Sequence, residues 1–238
     1  MITLVVAPGH LAAGVEVPVP ADETHHLRVR RGADAESIRL VDGQGTIAEA
    51  SLDWRGREAV ARVAAVQQVP APPALVLAAG AGDKDRFLSL TEKATELGAT
   101  LVVPLAVERA GSVATAVRAS HLPRLRRRAV EALKQCGAAW APEVAPPEDL
   151  AQFLSRPLPA TRWLADAAGG VPGPVPAAGG LVVAIGPEGG FTQGERDTLL
   201  RAGFRAVRLG PHVLRFETAA TAALAAAWLT QEQEAHGS

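Results

Sequence analysis

Residues 181–218, LVVAIGPEGGFTQGERDTLLRAGFRAVRLGPHVLRFET, constrain the fold more than any other stretch. An apolar run over 181–185 stops at Gly186-Pro187-Glu188-Gly189-Gly190. Thr192 and Glu195 then stand at the spacing of a capping box, in which hydroxyl and carboxylate each satisfy an orphan N–H at a helix start. The helix should close near Ala202, with Gly203 as its left-handed cap. A second apolar strand is predicted over 204–209, breaking at Gly210-Pro211 and looping to Glu217-Thr218. A right-handed strand–helix–strand crossover would set the two glycine loops side by side at one sheet edge. Open α/β sheets bind ligands there. Two tight turns in an ordinary α/β domain would account for the glycines alone. The carboxylate inside the first loop, with Arg215 and Glu217 in the second, points instead to a binding site.

The 238 residues suit one large domain or two modest ones. No apolar run is long enough to span a bilayer, so no membrane association is expected. The opening MITLVVAPGH lacks the charged flank and long core of a secretion signal. A single cysteine, Cys136, excludes an intramolecular disulfide and a cysteine-based zinc site. Together these lead to the expectation of a cytoplasmic enzyme or binding protein. Histidines 10, 25, 26, 121, 212 and 236 show no HExxH-like spacing, so no metal is expected. A net charge of −1 leaves only local clusters to speak for nucleic acid.

Short strands are predicted over 2–6, 15–19, 37–41, 46–51 and 59–66, with a helix over 22–29 capped by Asp22. Asp42-Gly43-Gln44-Gly45 is a hairpin signal, because glycine supplies the positive φ such turns need. Strands at this spacing suggest a small barrel. Seven arginines stand against nine carboxylates in 1–69, which is not the balance of a strongly basic module. Yet His25, His26, Arg28, Arg30 and Arg31 cluster, with Arg55 and Arg57 on a later turn. A solvated face and a set of phosphate contacts both fit this cluster.

Pro70, Pro72 and Pro73 mark the expected domain boundary. A buried strand over 74–79 ends in Gly80-Ala81-Gly82, and Asp83-Lys84-Asp85 leads into a helix over 86–97 closed by Gly98. The next strand, 100–105, ends in a loop carrying Glu108 and Arg109, so a parallel α/β sheet is expected. A helix over 120–136, capped by Ser120 with Pro123 in its first turn, carries Arg124, Arg126, Arg127, Arg128 and Lys134. These charges fit a solvated face or a polyanion contact. A strand over 162–165 should reach the same sheet edge, 167–180 reads as a flexible surface loop, and 218–229 as an alanine-rich helix.

The P-loop pattern, a GxGxxG after a strand and a GxSxG elbow are all absent. What remains is a glycine-rich site built mainly of backbone amides and carbonyls with a few charged groups.

The strings IGPEGGFTQGE (185–195) and LGPHVLRFETAA (209–220) resemble the SPOUT class of RNA methyltransferases. In particular they resemble the ribosomal RNA small-subunit methyltransferase E family, which makes 3-methyluridine in 16S ribosomal RNA. His25-His26-Leu27 with Asp42-Gly43-Gln44-Gly45 is similar to that family's PUA-like start. Asp83-Lys84-Asp85-Arg86 with Lys93-Ala94-Thr95-Glu96-Leu97-Gly98 resembles the beginning of its catalytic domain, and Glu131-Ala132 with Gln135-Cys136-Gly137 a further block. Three positions depart from the family pattern. The chain opens Met1-Ile2-Thr3-Leu4 rather than with an arginine among aromatics, and Ala138 and His212 stand where arginines are common. Each removes a possible phosphate contact and leaves the glycine frame intact.

The resemblance implies an α/β fold: a knotted (SPOUT, deep trefoil) parallel-sheet methyltransferase domain over 70–238, after a PUA-like RNA-binding β-barrel over 1–69. It implies S-adenosylmethionine held by three loops. These supply Leu164 and Ala165; Gly186, Pro187, Glu188, Gly189 and Gly190; and Leu209, Gly210, Val213, Leu214, Arg215 and Thr218. Glu188 is expected to brace its own loop by accepting backbone N–H bonds. Arg215 would stabilise charge developing on the uracil, and Glu217 would accept its proton or orient Arg215. His25, Arg28, Arg30, Arg31, Lys84, Arg86 and Arg109 would meet RNA. The implied partners are 16S ribosomal RNA in the small subunit and a second copy of the chain, docked through the last helix and the helix from Ser120. A transfer-RNA methyltransferase of the same class and a non-catalytic RNA-binding scaffold are the alternatives. The intact GPEGG and LRxETA strings speak against degeneracy.

Overall fold

A computed structural model describes residues 1–29, 36–111, 115–176 and 178–235. It divides into two compact units: Met1–Ala71 with Leu133–Ala141, and Pro72–Ala132 with Pro142–Ser238.

The first unit contains β1 (Ile2–Val5), β2 (Glu16–Pro18), α1 (Ala21–Val29), β3 (Ser37–Val41), β4 (Thr46–Arg55) and β5 (Glu58–Gln68). Its five strands form one mixed sheet in the order β1-β3-β4-β5-β2, with β1 and β3 parallel and the other pairs antiparallel. Successive side chains of a strand face opposite ways. Along β4 this turns Thr46, Ala48, Ala50 and Leu52 inward, against Leu4, Leu27, Ile38, Leu40 and Ala61. β4 runs past the predicted end at 51, because the alternation continues to a tight turn at Gly56 (φ 65°). Arg55, at the strand's last position, pairs with Glu16 at 2.7 Å.

The β3–β4 turn is built around a buried carboxylate. Asp42 Oδ1 accepts the N–H groups of Gln44 (2.8 Å) and Thr46 (2.9 Å). Burial pushes the Asp42 carboxyl up, but hydrogen bonds from Thr46 and Gln44 together outweigh it and leave the pKa below the ordinary 3.8. Gly43 and Gly45 flank this turn at φ 69° and 99°. The end of α3 (Leu122–Cys136) and the stretch after it complete the unit. Ala139 O accepts Gly45 N–H, Gly43 O accepts Ala141 N–H, and Trp140 Nε1 donates to Val69 O. A Cβ at Gly45 would lie 2.5 Å from the Trp140 ring, so contact and φ both demand glycine. Lys134 pairs with the largely buried Glu23.

The second unit holds a six-stranded parallel sheet in the order β11-β9-β10-β6-β7-β8. Its strands are β6 (Leu75–Gly80), β7 (Leu101–Leu105), β8 (Glu143–Val144), β9 (Thr161–Gly170), β10 (Leu181–Ile185) and β11 (Arg205–Val207). Parallel strands buried on both faces read as unbroken apolar runs, as LVLAAG of β6 and LVVAI of β10 do. On one face Leu75, Leu77, Leu181 and Val183 pack under α2 (Lys84–Glu96) and α6 (Phe216–Ala235). On the other, Val76, Ala78, Val182 and Ala184 meet Phe153 of α4 (Leu150–Leu154) and Leu199 of α5 (Gln193–Arg201). The alanines of α6 let it lie close on the sheet, with Ala223, Leu224 and Ala227 fully buried, and Phe216 meets Phe87 of α2 at 6.2 Å between ring centroids.

Three expectations are corrected. β10 and β11 are not neighbours, because β9 lies between them and pairs with both. The stretch after residue 166 is not all loop: β9 continues to Gly170, where a Cβ on Gly169 would fall 2.5 Å from Val207 N. Further along, Val175 is fully buried. The helix expected from Ser120 begins at Leu122, after a 3-10 turn over Ala119–His121.

Replacing Asp42 by alanine strands two turn N–H groups and is expected to destabilise the first unit by about 1–3 kcal/mol in urea unfolding at pH 7. Because folding lowers the Asp42 pKa, its contribution is present above the unfolded value and is lost as pH falls through the folded one. The difference between wild type and D42A should therefore shrink below about pH 4.

Candidate active site

The glycine loop after β10 sits against the end of β6. A Cβ at Gly80 would lie 2.5 Å from Pro187 N and Cδ, and one at Gly82 would lie 2.8 Å from Glu188 Oε2. Within the loop, Gly190 donates to Pro187 O at 2.7 Å and adopts φ 68°. The predicted capping box is present: Thr192 Oγ1 accepts Glu195 N–H, and Glu195 Oε2 accepts Thr192 N–H at 2.8 Å. Glu195 has a second task, since its Oε1 accepts Glu108 N–H at 2.8 Å. Arg109 then donates to Gly189 O at 3.0 Å. Among the described residues Glu188 accepts no backbone N–H of its loop; it accepts from Arg86 at 3.2 Å.

Midway along β9, Asp166 Oδ2 accepts from Arg196 of α5 at 2.7 Å and Oδ1 accepts Ala168 N–H at 2.8 Å. The Arg196 hydrogen bond is the main cause holding the Asp166 carboxyl below the ordinary 3.8; burial opposes it and the Ala168 N–H reinforces it. After β11 the third loop folds back on itself, so that a Cβ at Gly210 would touch Leu214 at 3.4 Å. Leu209 and Leu214 rest on the core while Val213 is 85% exposed.

β9 and the two loops surround a cleft of about 570 Å³ with Ile185, Leu164, Phe216 and Ala219 among its apolar lining. Such a volume is ordinary for a small-molecule site. It is lined by Leu164 and Ala165, by Gly186, Pro187, Glu188, Gly189 and Gly190, and by Leu209, Gly210, Val213, Leu214 and Arg215. Thr218 and Glu217 are not in the lining, and Glu217 Oε2 is buried without a hydrogen-bond partner among the described residues. Arg215 makes no side-chain hydrogen bond or ion pair among them. His212 stands exposed at the same cleft.

The residues expected to meet RNA are scattered. Arg86 and Arg109 are engaged with the glycine loop, and Lys84 is half-buried at the start of α2. On α1, His25 is exposed, while Arg28 donates to Gly56 O and lies 5.2 Å over the Trp54 ring. Arg30 and Arg31 lie outside the described residues. Sequence reasoning missed Arg196 and Arg208, both in the cleft lining. A cation one turn into the helix that opens on the glycine loop was the available signal for Arg196. Among the described residues no group of three His, Cys, Asp or Glu side chains is placed to hold a metal, and no helix is long and apolar enough to cross a membrane.

Residues 69–228 match the family model of the RNA methyltransferase domain. The ribosomal RNA small subunit methyltransferase E of Mycobacterium bovis is 36% identical over 234 residues, covering 90% of this chain and 86% of its own. That of Synechocystis is 31% identical over 236 residues, covering 93% of this chain and 75% of its own. The chain belongs to the ribosomal RNA small subunit methyltransferase E family. The crystal structure of the Neisseria gonorrhoeae member, solved with S-adenosyl methionine, superposes with a TM-score of 0.85 at 30% identity, over 95% of this chain and 96% of that one. The methyltransferase carries that family's fold: a small PUA-like β domain and a SPOUT α/β-knot domain.

Adding a methyl group at Gly80 forces Pro187 away, so G80A is expected to weaken S-adenosylmethionine binding at least tenfold in calorimetry while α5 and its capping box persist. Removing the cation in R196A should return the Asp166 pKa toward 3.8 in a carboxylate NMR titration. The folded pKa is the depressed one, so the wild-type pair is intact above that range and breaks as pH falls through it.

Proposed function

We propose that this chain transfers the methyl group of S-adenosylmethionine to N3 of one uridine in 16S ribosomal RNA of the small subunit, acting in the cytoplasm as a homodimer. The observation that carries the reading is the meeting of β9 and two strand-end glycine loops at one cleft that also holds Arg215, an arginine with no side-chain partner among the described residues. The cleft suits the cofactor: its walls are main chain that can read a base edge, its lining has a large apolar share, and its lining carboxylates are fixed. When bound, the cofactor supplies an electrophilic methyl on a sulfonium.

The chain's own residues do the rest. The loops fix the direction along which a uracil ring nitrogen can approach, and such placement supplies much of the acceleration. The N3–H proton passes to solvent water as the new C–N bond forms and the S–C bond breaks, leaving the thioether of the spent cofactor. Negative charge on the uracil oxygens meets Arg215, whose guanidinium pairs with no carboxylate among the described residues. Glu217, outside the lining, stands in the first turn of α6, where a carboxylate complements the unpaired N–H groups of a helix start. Arg86 and Arg109 hold the glycine loop, and Lys84 remains an RNA phosphate contact. The first unit presents His25 and Arg28 to RNA. The dimer forms through α6, where Trp228 and Leu229 are 51% and 56% exposed, together with α3.

Incubation with labelled S-adenosylmethionine and small subunits lacking the modification should yield labelled 3-methyluridine after digestion. Label in another nucleoside, or in transfer RNA instead, would sink the substrate assignment. Arg215→Ala should lower kcat by about 10²–10³ with cofactor affinity within a few-fold of wild type; unchanged transfer would remove Arg215 from the mechanism.

A further inference from the structure

Four arginines line the cleft, and they divide into two kinds. Arg86 is neutralised by Glu188 at 3.2 Å, and Arg196 by Asp166 at 2.7 Å. Glu188 and Asp166 are the only carboxylates in the lining. Arg208 and Arg215 have no carboxylate of the lining left to meet, and neither makes a side-chain hydrogen bond or ion pair among the described residues. They stand at the two ends of one loop whose folding back brings both to the same cleft.

We propose that Arg208 is a substrate-positioning residue that grips an oxyanion of the RNA backbone, so that Arg208 and Arg215 clamp the target strand from opposite ends of the loop between them. This rests on the reading of the cleft as an RNA methyl-transfer site.

The anchoring of Arg208 suits such a task. Its N–H donates to Gly170 O at 2.7 Å, and the residue before it, Val207, is fully buried in β11. The backbone is thus fixed to the sheet while the side chain is exposed. A guanidinium presents a planar fork that matches phosphate oxygens in pairs. Electrostatics gives the same answer. A site reading a cationic sulfonium gains nothing from two further uncompensated cations until an anion enters. RNA brings one phosphate per nucleotide, and the exposed side chain of Arg208 is open to a long strand. The cofactor's own carboxylate has the same oxyanion chemistry, so the test separates the two sources.

The test compares wild type, R208A and R208K in three measurements: cofactor affinity by calorimetry, binding of a small-subunit RNA fragment against salt concentration, and steady-state methyl transfer. R208A should raise KM for the subunit about tenfold with little change in kcat. It should lower the slope of log affinity against log salt by about 0.7, the loss of one single-strand phosphate contact. R208K should restore the slope more than the KM, because an ammonium keeps the charge and loses the fork. Cofactor affinity should stay within twofold. A cofactor affinity that falls as far as the RNA affinity would assign Arg208 to the cofactor carboxylate and overturn the proposal, as would an unchanged slope and KM. Wild-type binding with an Arg208-dependent slope but no methyl transfer would sink the proposed function and leave this contact standing. Transfer by the wild type that R208A leaves untouched would do the reverse.

Discussion

Pro187 lies directly on the end of β6, and the second unit's site depends on that approach. A side chain on Gly80 would occupy the space of Pro187 N and Cδ, and one on Gly82 that of the Glu188 carboxylate. Glycine at the end of a strand normally weakens it, since the residue adds flexibility and no packing. Here Gly80, the last residue of β6, and Gly82 just beyond it let another strand's loop descend onto the sheet. Once down, the loop is held by Arg86 from α2, by Arg109 from the loop after β7, and by the capping helix behind it. Glu195 links two of these supports, one oxygen closing its own helix and the other holding Glu108. Rigidity of this kind is what a site needs if its binding groups are mostly main chain.

Charge in the cleft is organised by subtraction. The two acids are each consumed by a cation, so they shape loops without adding a net field. What survives is positive and borne by Arg208 and Arg215, with the His212 imidazole between them in sequence. This also changes the meaning of His212. An arginine is missing there, yet the cleft still has two guanidiniums that are unpaired among the described residues, one at each end of the loop after β11.

The capped helix at 193, the left-handed Gly203 (φ 86°) and the Asp42 turn were legible because each depends on a few adjacent residues. The cleft lining was legible through the glycine loops, whose residue types leave few other uses. Strand adjacency was not. The insertion of β9 between β10 and β11 depends on Gly169 meeting Val207, a contact between distant segments that no local pattern records. The partners of Glu188, Arg86 and Arg109 were not legible for the same reason, since they lie far away in sequence. The return of 133–141 to the first unit rests on Trp140 filling the space above Gly45, again invisible to periodicity.

The position of β9 also orders events during synthesis. β11 can dock only on a sheet edge that β9 has already formed, and α6 must afterwards return over β10 and β6. Parallel pairings between distant segments are slow to form, because closing the intervening chain costs entropy before contacts compensate. A ribosome emitting this chain from its amino end delivers the first two walls of the cleft well before the third. The cofactor site therefore comes into being as the last act of folding. An unfinished chain carries the glycine loop and its braces, but neither of the two unpaired arginines that set the field of the finished site.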